Sequence, residues 1–160
     1  MRTLLLLAAL MSAPALAQHE GHAAPEPVCV KAAVVPGFES FGAATDGPLA
    51  LGKPTRVTLR QETAPPPIAG GRPFKPGTYR GEARPGIEIA QAGHYRIALS
   101  QKAWLAVQRA GGEVASTAHE HGPACSGIAK IVSFDLAPGR YAVILSEATE
   151  PAATVMVVKE

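Results

Sequence analysis

The stretch Ala92-Gly93-His94-Tyr95-Arg96-Ile97-Ala98-Leu99-Ser100 decides the fold, because polar and apolar side chains alternate along it. A period of two is the period of a β-strand, and here it places Tyr95, Ile97 and Leu99 on one face and His94 on the other. Antiparallel sheets that are covered on one side produce this pattern. The stretch therefore predicts a strand with one buried face, and it predicts that His94 faces solvent.

The same pattern returns further along the chain, in Pro138-Gly139-Arg140-Tyr141 through Leu145-Ser146, and Pro76-Gly77-Thr78-Tyr79 is a shorter third copy. In each copy Gly allows a tight turn and Tyr begins the strand, where its ring can close the core edge while its hydroxyl reaches backbone or water. Alternating runs bounded by Gly or Pro occur at 86–90, 94–100, 104–109, 131–136, 141–146 and 154–159. Short strands with frequent turns predict an all-β fold, an antiparallel β-sandwich forming a single domain.

The composition excludes several classes of protein. Gly (16) and Pro (15) are frequent and charged residues make up only 18% of the 160 residues, which disfavours a helical bundle. Lys and Arg (15) nearly balance Asp and Glu (13), so the chain lacks the positive charge that attracts phosphate backbones. We therefore expect no nucleic-acid partner.

The first half of the chain gives weaker signals than the second. Residues 28–35 are predicted to form a strand, and residues 55–60 alternate as an edge strand does. Pro65-Pro66-Pro67 predicts a stiff extended connector. In the second half, Trp104 alternates with Ala106 and is expected in the core rather than on a ligand platform.

The first 17 residues are typical of an export signal. Met1-Arg2-Thr3 is positive, residues 4–11 are apolar, and Pro14-Ala15-Leu16-Ala17 ends in the small-x-small pattern that signal peptidase accepts. The apolar run is shorter than the roughly 20 residues that a membrane span needs. We predict cleavage after Ala17, a periplasmic location, no membrane span in the mature chain, a flexible tail at 18–27 and a sandwich domain at 28–160.

Two cysteines, Cys29 and Cys125, are present. An even number of cysteines in an exported chain predicts a disulfide, because such compartments oxidise accessible thiol pairs. The alternative makes one or both thiolates ligands for a soft metal, which requires that they stay reduced.

The histidines form two clusters, one of which is His119-Glu120-His121, close before Cys125. On an extended strand His119 and His121 point the same way, and Cys125, if reduced, could approach the same ion. This ligand set suits copper or zinc, whereas the iron set that includes Glu120 is disfavoured because Glu120 projects to the opposite face. The alternative is that both histidines are polar residues of an exposed loop beside a disulfide.

The second cluster lies in the tail, at His19 and His22. Cleavage after Ala17 would leave a free amine on Gln18, and this amine, the next amide and the His19 ring could chelate Cu(II), with His22 as a further donor. Cyclisation of Gln18 would abolish the amine. A solvated linker is the alternative reading of this tail.

The residues from 86 to 158 resemble the bacterial pre-peptidase C-terminal domain. The resemblance is carried by Gly93-His94-Tyr95, Gly139-Arg140-Tyr141, Trp104-Leu105-Ala106-Val107 and Phe134-Asp135-Leu136. It implies a jelly-roll-like β-sandwich and a non-catalytic exported module of the kind found beside secreted enzymes.

With its signal, its histidine-containing tail and the segment from His119 to Ile128, the whole chain also resembles short exported proteobacterial proteins, some of them labelled homogentisate 1,2-dioxygenase. That label would imply a metal-dependent oxygenase. We identify no catalytic residue and expect a periplasmic binding or accessory protein with a copper or zinc role through its histidines. One alternative is a protein- or saccharide-interaction module without metal, and another is a metal-dependent dioxygenase. The expected partner is either a periplasmic protein or a metal ion.

Overall fold

A computed structural model describes residues 28–64, 72–110 and 112–160. The predicted signal peptide and tail, together with the three consecutive prolines, lie outside these residues. The strands are β1 (Thr55–Thr58), β2 (Arg60–Gln61), β3 (Tyr79–Ile89), β4 (Gly93–Leu99), β5 (Trp104–Arg109), β6 (Gly112–Val114), β7 (Ala118–Glu120), β8 (Lys130–Leu136), β9 (Gly139–Ala148) and β10 (Ala152–Lys159). The described residues contain no helix, and hence none long and apolar enough to cross a membrane.

The strands form two five-stranded sheets, which confirms the predicted all-β sandwich. The first sheet has the order β1-β10-β4-β8-β7 and the second has the order β2-β3-β9-β5-β6. All neighbouring strands are antiparallel. The inward positions of both sheets supply one apolar core, whose largest fully buried members include Tyr95, Phe134 and Tyr141.

The repeated Gly-x-Tyr pattern marks the central strand of each sheet, β4 and β9. Tyr95 and Tyr141 are buried, and each hydroxyl donates a hydrogen bond to a backbone carbonyl, that of Gln91 (2.7 Å) and that of Ala137 (2.8 Å). This confirms that the rings close the core while the hydroxyls reach the backbone. His94, on the opposite face of β4, is partly exposed and its Nδ1 lies 2.8 Å from an oxygen of Asp135.

The echo in the sequence corresponds to two interlocked halves of the sandwich. In the first half β3, β4 and β5 follow one another, and in the second half β8, β9 and β10 do the same. Strand β4 lies between β8 and β10, and strand β9 lies between β3 and β5. Each half therefore inserts its middle strand between the outer strands of the other half, so both sheets are built from strands of both halves.

The strand predicted at 28–35 is wrong, because this segment has no regular structure. It leads into a segment that packs on the outer face of the first sheet, where Val35, Phe38 and Phe41 meet Ile131 and other apolar side chains. The central strands of that sheet already have partners on both sides, so the segment covers the sheet without joining it. The edge strand predicted at 55–60 is confirmed by β1, at the edge of the first sheet.

The predicted disulfide between Cys29 and Cys125 is present, with a sequence separation of 96 residues. Beside it, the Ala33 amide donates a hydrogen bond to the Cys125 carbonyl (3.0 Å). The disulfide thus links Cys29, which precedes the segment that packs on the first sheet, to the connection between β7 and β8. A disulfide fits a periplasmic or extracellular protein, because those compartments are oxidising.

Candidate functional site

A cleft of about 600 Å³ opens between the two sheets at one side of the sandwich. This volume falls in the range of small-molecule sites, about 300 to 1,000 Å³. Most of the lining is apolar, and a few polar groups converge on it. The lining residues are Trp104, Leu105, Glu113, Val114, Ala115, Ser116, His119, Lys130, Val132 and Phe134.

The cleft exists because the two sides of the sandwich are closed differently. On one side the chain passes from β1 to β2, and so between sheets, through the single buried residue Leu59, which packs against Gly81. On the other side it passes from β6 to β7 through residues 115–117, which are exposed. These residues are too small to fill the gap between the sheets, so it stays open.

The short edge strands leave the cleft wall uncovered. Strand β6 pairs with β5 only from Val107 to Arg109, so the β5 edge at Trp104 is free of β6. Strand β7 pairs with β8 only from Ile131 to Ser133, so Lys130 has no partner in β7. Trp104 and Lys130, which begin β5 and β8, therefore lie at the mouth.

Trp104 is partly buried and lies outside the core cluster, so its expected core position is wrong. The inward positions of β5 belong to Leu105 and Val107, whereas Trp104 has the opposite parity. Its ring instead meets two cations: the Arg72 guanidinium carbon lies 4.0 Å from the ring centroid and the Lys130 Nζ lies 5.5 Å from it. Both separations are within the range of cation–π attraction.

Arg72 is held by its backbone as well as by the indole. Its amide donates a hydrogen bond to the Ser146 hydroxyl (3.1 Å), and its carbonyl accepts one from the Arg80 guanidinium. Arg80 in turn forms a buried ion pair with Glu62. A buried pair therefore fixes the backbone from which Arg72 reaches Trp104.

Lys130 is a half-buried cation beside a second cation. Burial lowers the pKa of Lys130, since it disfavours the charged ammonium, and the positive charge of Arg72 lowers it further. Within the described residues, no ion pair involves Lys130 or Arg72. Lys130 thus lies at the mouth of the cleft with Arg72 beside the same indole, and neither cation has a described carboxylate within 4.0 Å.

The structure places the predicted metal ligands in different surroundings. His119 lies on β7 and lines the cleft, whereas Glu120 projects to the other face, where it pairs with Arg96 (3.0 Å). β7 ends at Glu120, and the Nδ1 of His121 lies 3.3 Å from the Ala129 carbonyl. Cys125 is oxidised and offers no thiolate.

Over the described ranges, no group of three or more His, Cys, Asp or Glu side chains is arranged to hold a metal ion. The iron ligand set of His119, Glu120 and His121 is therefore not assembled among these residues. His19 and His22 lie outside the described residues. The copper or zinc role of the histidines stays a prediction.

Sequence reasoning missed Lys130 and Arg72. A signal for Lys130 exists: in Lys130-Ile131-Val132-Ser133-Phe134 the period of two gives Lys130 the same inward parity as Val132 and Phe134. A lysine at an inward position at the start of a strand indicates a cleft or an ion pair. Arg72 carries no local signal, because its approach to Trp104 depends on contacts with residues distant in sequence.

The fold and the cleft define an antiparallel β-sandwich with a small-molecule-sized site at its open side. No protein-family model matches the chain, and neither a curated protein nor a solved structure matches it.

Proposed function

We propose that this protein is an exported, non-catalytic binding module that takes a small ligand into the cleft between its sheets. The cleft carries the proposal: its volume suits a small molecule, its lining is apolar, and polar side chains converge at its mouth. The disulfide supports export to an oxidising compartment. A periplasmic location also requires removal of the signal, so amino-terminal sequencing of the mature protein should begin at Gln18.

A ligand screen with a blocked cleft tests this function. Saturation-transfer NMR with a library of neutral, anionic and cationic fragments and of sugars should give hits with the wild-type protein. Ala115→Phe places a ring at an exposed position of the lining and should remove them. Ala92→Phe, at an exposed alanine between β3 and β4 that is not part of the lining, is the matched control. Hits that survive Ala115→Phe, or no hits at all, would reject the cleft as the binding site.

We propose copper or zinc handling as a second function, supported by the positions of His119 and His121. Both are exposed, and they lie on and just after the edge strand β7. The test is elemental analysis of protein purified from the periplasm without chelator or affinity tag. Near-stoichiometric metal that is lost in a His119→Ala/His121→Ala variant would support it, and a metal-free protein that ignores added copper and zinc would reject it.

A further inference from the structure

Lys130, at the mouth of the cleft, and Arg72, over the same indole, differ in their surroundings from several other cations on this molecule. Arg80, Arg96 and Arg140 each have a carboxylate within ion-pair distance. Lys130 and Arg72 have none among the described residues, yet both are drawn to the same indole ring. Two cations near one ring repel each other, so a site of this kind gains most from a bound anion.

The apolar side chains that line the cleft indicate the chemistry of the rest of the ligand. Leu105, Val132 and Phe134 line the cleft and belong to the apolar core, and Val114 packs against it. Leu105, Val132 and Phe134 are only 1–5% exposed, so the apolar surface that a small inorganic anion would leave in contact with water belongs mainly to Trp104, Val114 and Ala115. A ligand with an apolar body would cover the surface and gain about 25 cal/mol for each Å² removed from water.

Glu113 limits the charge of the ligand. It lines the cleft from β6, so a second negative group at that end would be repelled. One anionic group at the Lys130 end and an uncharged body are therefore favoured.

We infer that the cleft binds an organic monocarboxylate, with its carboxylate at Lys130, close to the positive charge of Arg72, and its apolar body against Trp104, Val114 and Ala115. This inference rests on the proposed binding function and specifies the ligand class. Burial and the charge of Arg72 lower the pKa of Lys130, and a bound carboxylate would oppose this shift because it favours the charged ammonium.

Trp104 provides the measurement, because it is the only tryptophan of the chain and it lies at the mouth. We would titrate the full mature protein with cyclohexanecarboxylate and follow the emission of Trp104. Three comparison probes separate the contributions of charge and of apolar surface. Cyclohexanecarboxamide lacks the negative charge, glucuronate carries its carboxylate on a polar ring, and inorganic phosphate has no organic group. We expect cyclohexanecarboxylate to bind about tenfold more tightly than the amide, as one charge-assisted contact predicts, and more tightly than the other two probes.

The variants test the assigned contacts. Lys130→Met keeps the aliphatic stem and should weaken cyclohexanecarboxylate binding about tenfold, whereas Lys130→Arg keeps the charge and should retain most of it. Arg72→Gln should also weaken the binding of cyclohexanecarboxylate. Lys102→Met, at an exposed lysine outside the lining, removes the same charge and should leave affinity unchanged. Thermal unfolding of each variant establishes that it is folded.

The outcomes distinguish this inference from the function on which it rests. If the amide binds as well as the carboxylate and Ala115→Phe blocks both, the ligand class is wrong and the binding function stands. If glucuronate or phosphate bound more tightly than cyclohexanecarboxylate, the inference that the ligand has an apolar body would be overturned. If no probe binds and the fragment screen gives no hit that Ala115→Phe removes, both proposals fail.

Discussion

The buried ion pair between Glu62 and Arg80 gives the sharpest prediction about stability. The side chains are only 3% and 9% exposed. Glu62 also accepts hydrogen bonds from the Lys75 amide (2.9 Å) and the Thr78 hydroxyl (3.3 Å). Glu62→Ala would leave the Arg80 guanidinium buried without its carboxylate and would remove an acceptor from both other groups. Loss of one partner of a buried pair costs about 3 to 5 kcal/mol.

Equilibrium unfolding in urea, followed by Trp104 emission, measures this loss. With an m value of about 2 kcal/mol/M, the midpoint should fall by about 2 M. The exposed pair between Arg140 and Glu88, whose side chains are 72% and 63% exposed, is the internal control. Glu88→Ala should change the free energy of unfolding by no more than about 1 kcal/mol. Equal effects of the two substitutions would refute the argument that burial determines the cost.

The same pair predicts how stability depends on pH. Burial alone raises the pKa of Glu62, but the hydrogen bonds from Arg80, from the Lys75 amide and from Thr78, together with the charge of Arg80, lower it below its ordinary value of 4.5. A carboxyl whose pKa is lower in the folded state binds protons more readily when unfolded. Its contribution is therefore complete above pH 4.5 and is lost as the pH falls through the lower folded value. In Glu62→Gln this part of the acid dependence should be absent, and an unchanged acid profile would contradict it.

Two further substitutions test the framework. Replacing both Cys29 and Cys125 by serine removes the link between residues 96 positions apart in the sequence. In the chain-entropy model this should lower the free energy of unfolding in urea by about 4 to 5 kcal/mol. A loss below about 1 kcal/mol would show that the disulfide constrains the unfolded chain little. Gly86→Ala would place a Cβ against the Tyr141 carbonyl oxygen at a φ of +89°, and should cost about 1 to 3 kcal/mol in thermal unfolding. Gly42, where an added Cβ meets nothing within 4 Å, is the matched site, and equal melting temperatures for the two alanine variants would argue against the close approach at Gly86.

The sequence predicted the strands of the second half well, because a strand with one buried face reveals itself within a few residues. Tyr95, Ile97 and Leu99 alternate with polar or smaller side chains, and all three are in the core. The disulfide followed from the number of cysteines and the predicted export. Local chemistry was sufficient for these features.

The features that the sequence did not predict depend on contacts between residues that are distant in the chain. Residues 28–35 have strand-like composition, but they pair with no strand of either sheet, and a strand needs a hydrogen-bonded partner. Trp104 looked like a core residue because period-two alternation does not state which of two faces is the inner one. The cleft was not predictable either, since it arises where two short edge strands from different sheets fail to meet.

The buried pair and the cleft are connected through Arg72, and this connection leads to a final prediction. Arg80 bonds both Glu62 and the Arg72 carbonyl, while the Arg72 side chain lies over Trp104. Glu62→Gln retains the shape of the side chain but weakens its hold on Arg80, so the Arg72 backbone should become less fixed. At neutral pH and without denaturant, where the variant is still folded, its affinity for cyclohexanecarboxylate should fall several-fold, whereas Glu88→Gln should bind as the wild type does. If Glu62→Gln lost stability yet bound this probe normally, Arg72 would be positioned by Ser146 and the indole alone, and the buried pair would serve the fold without serving the site.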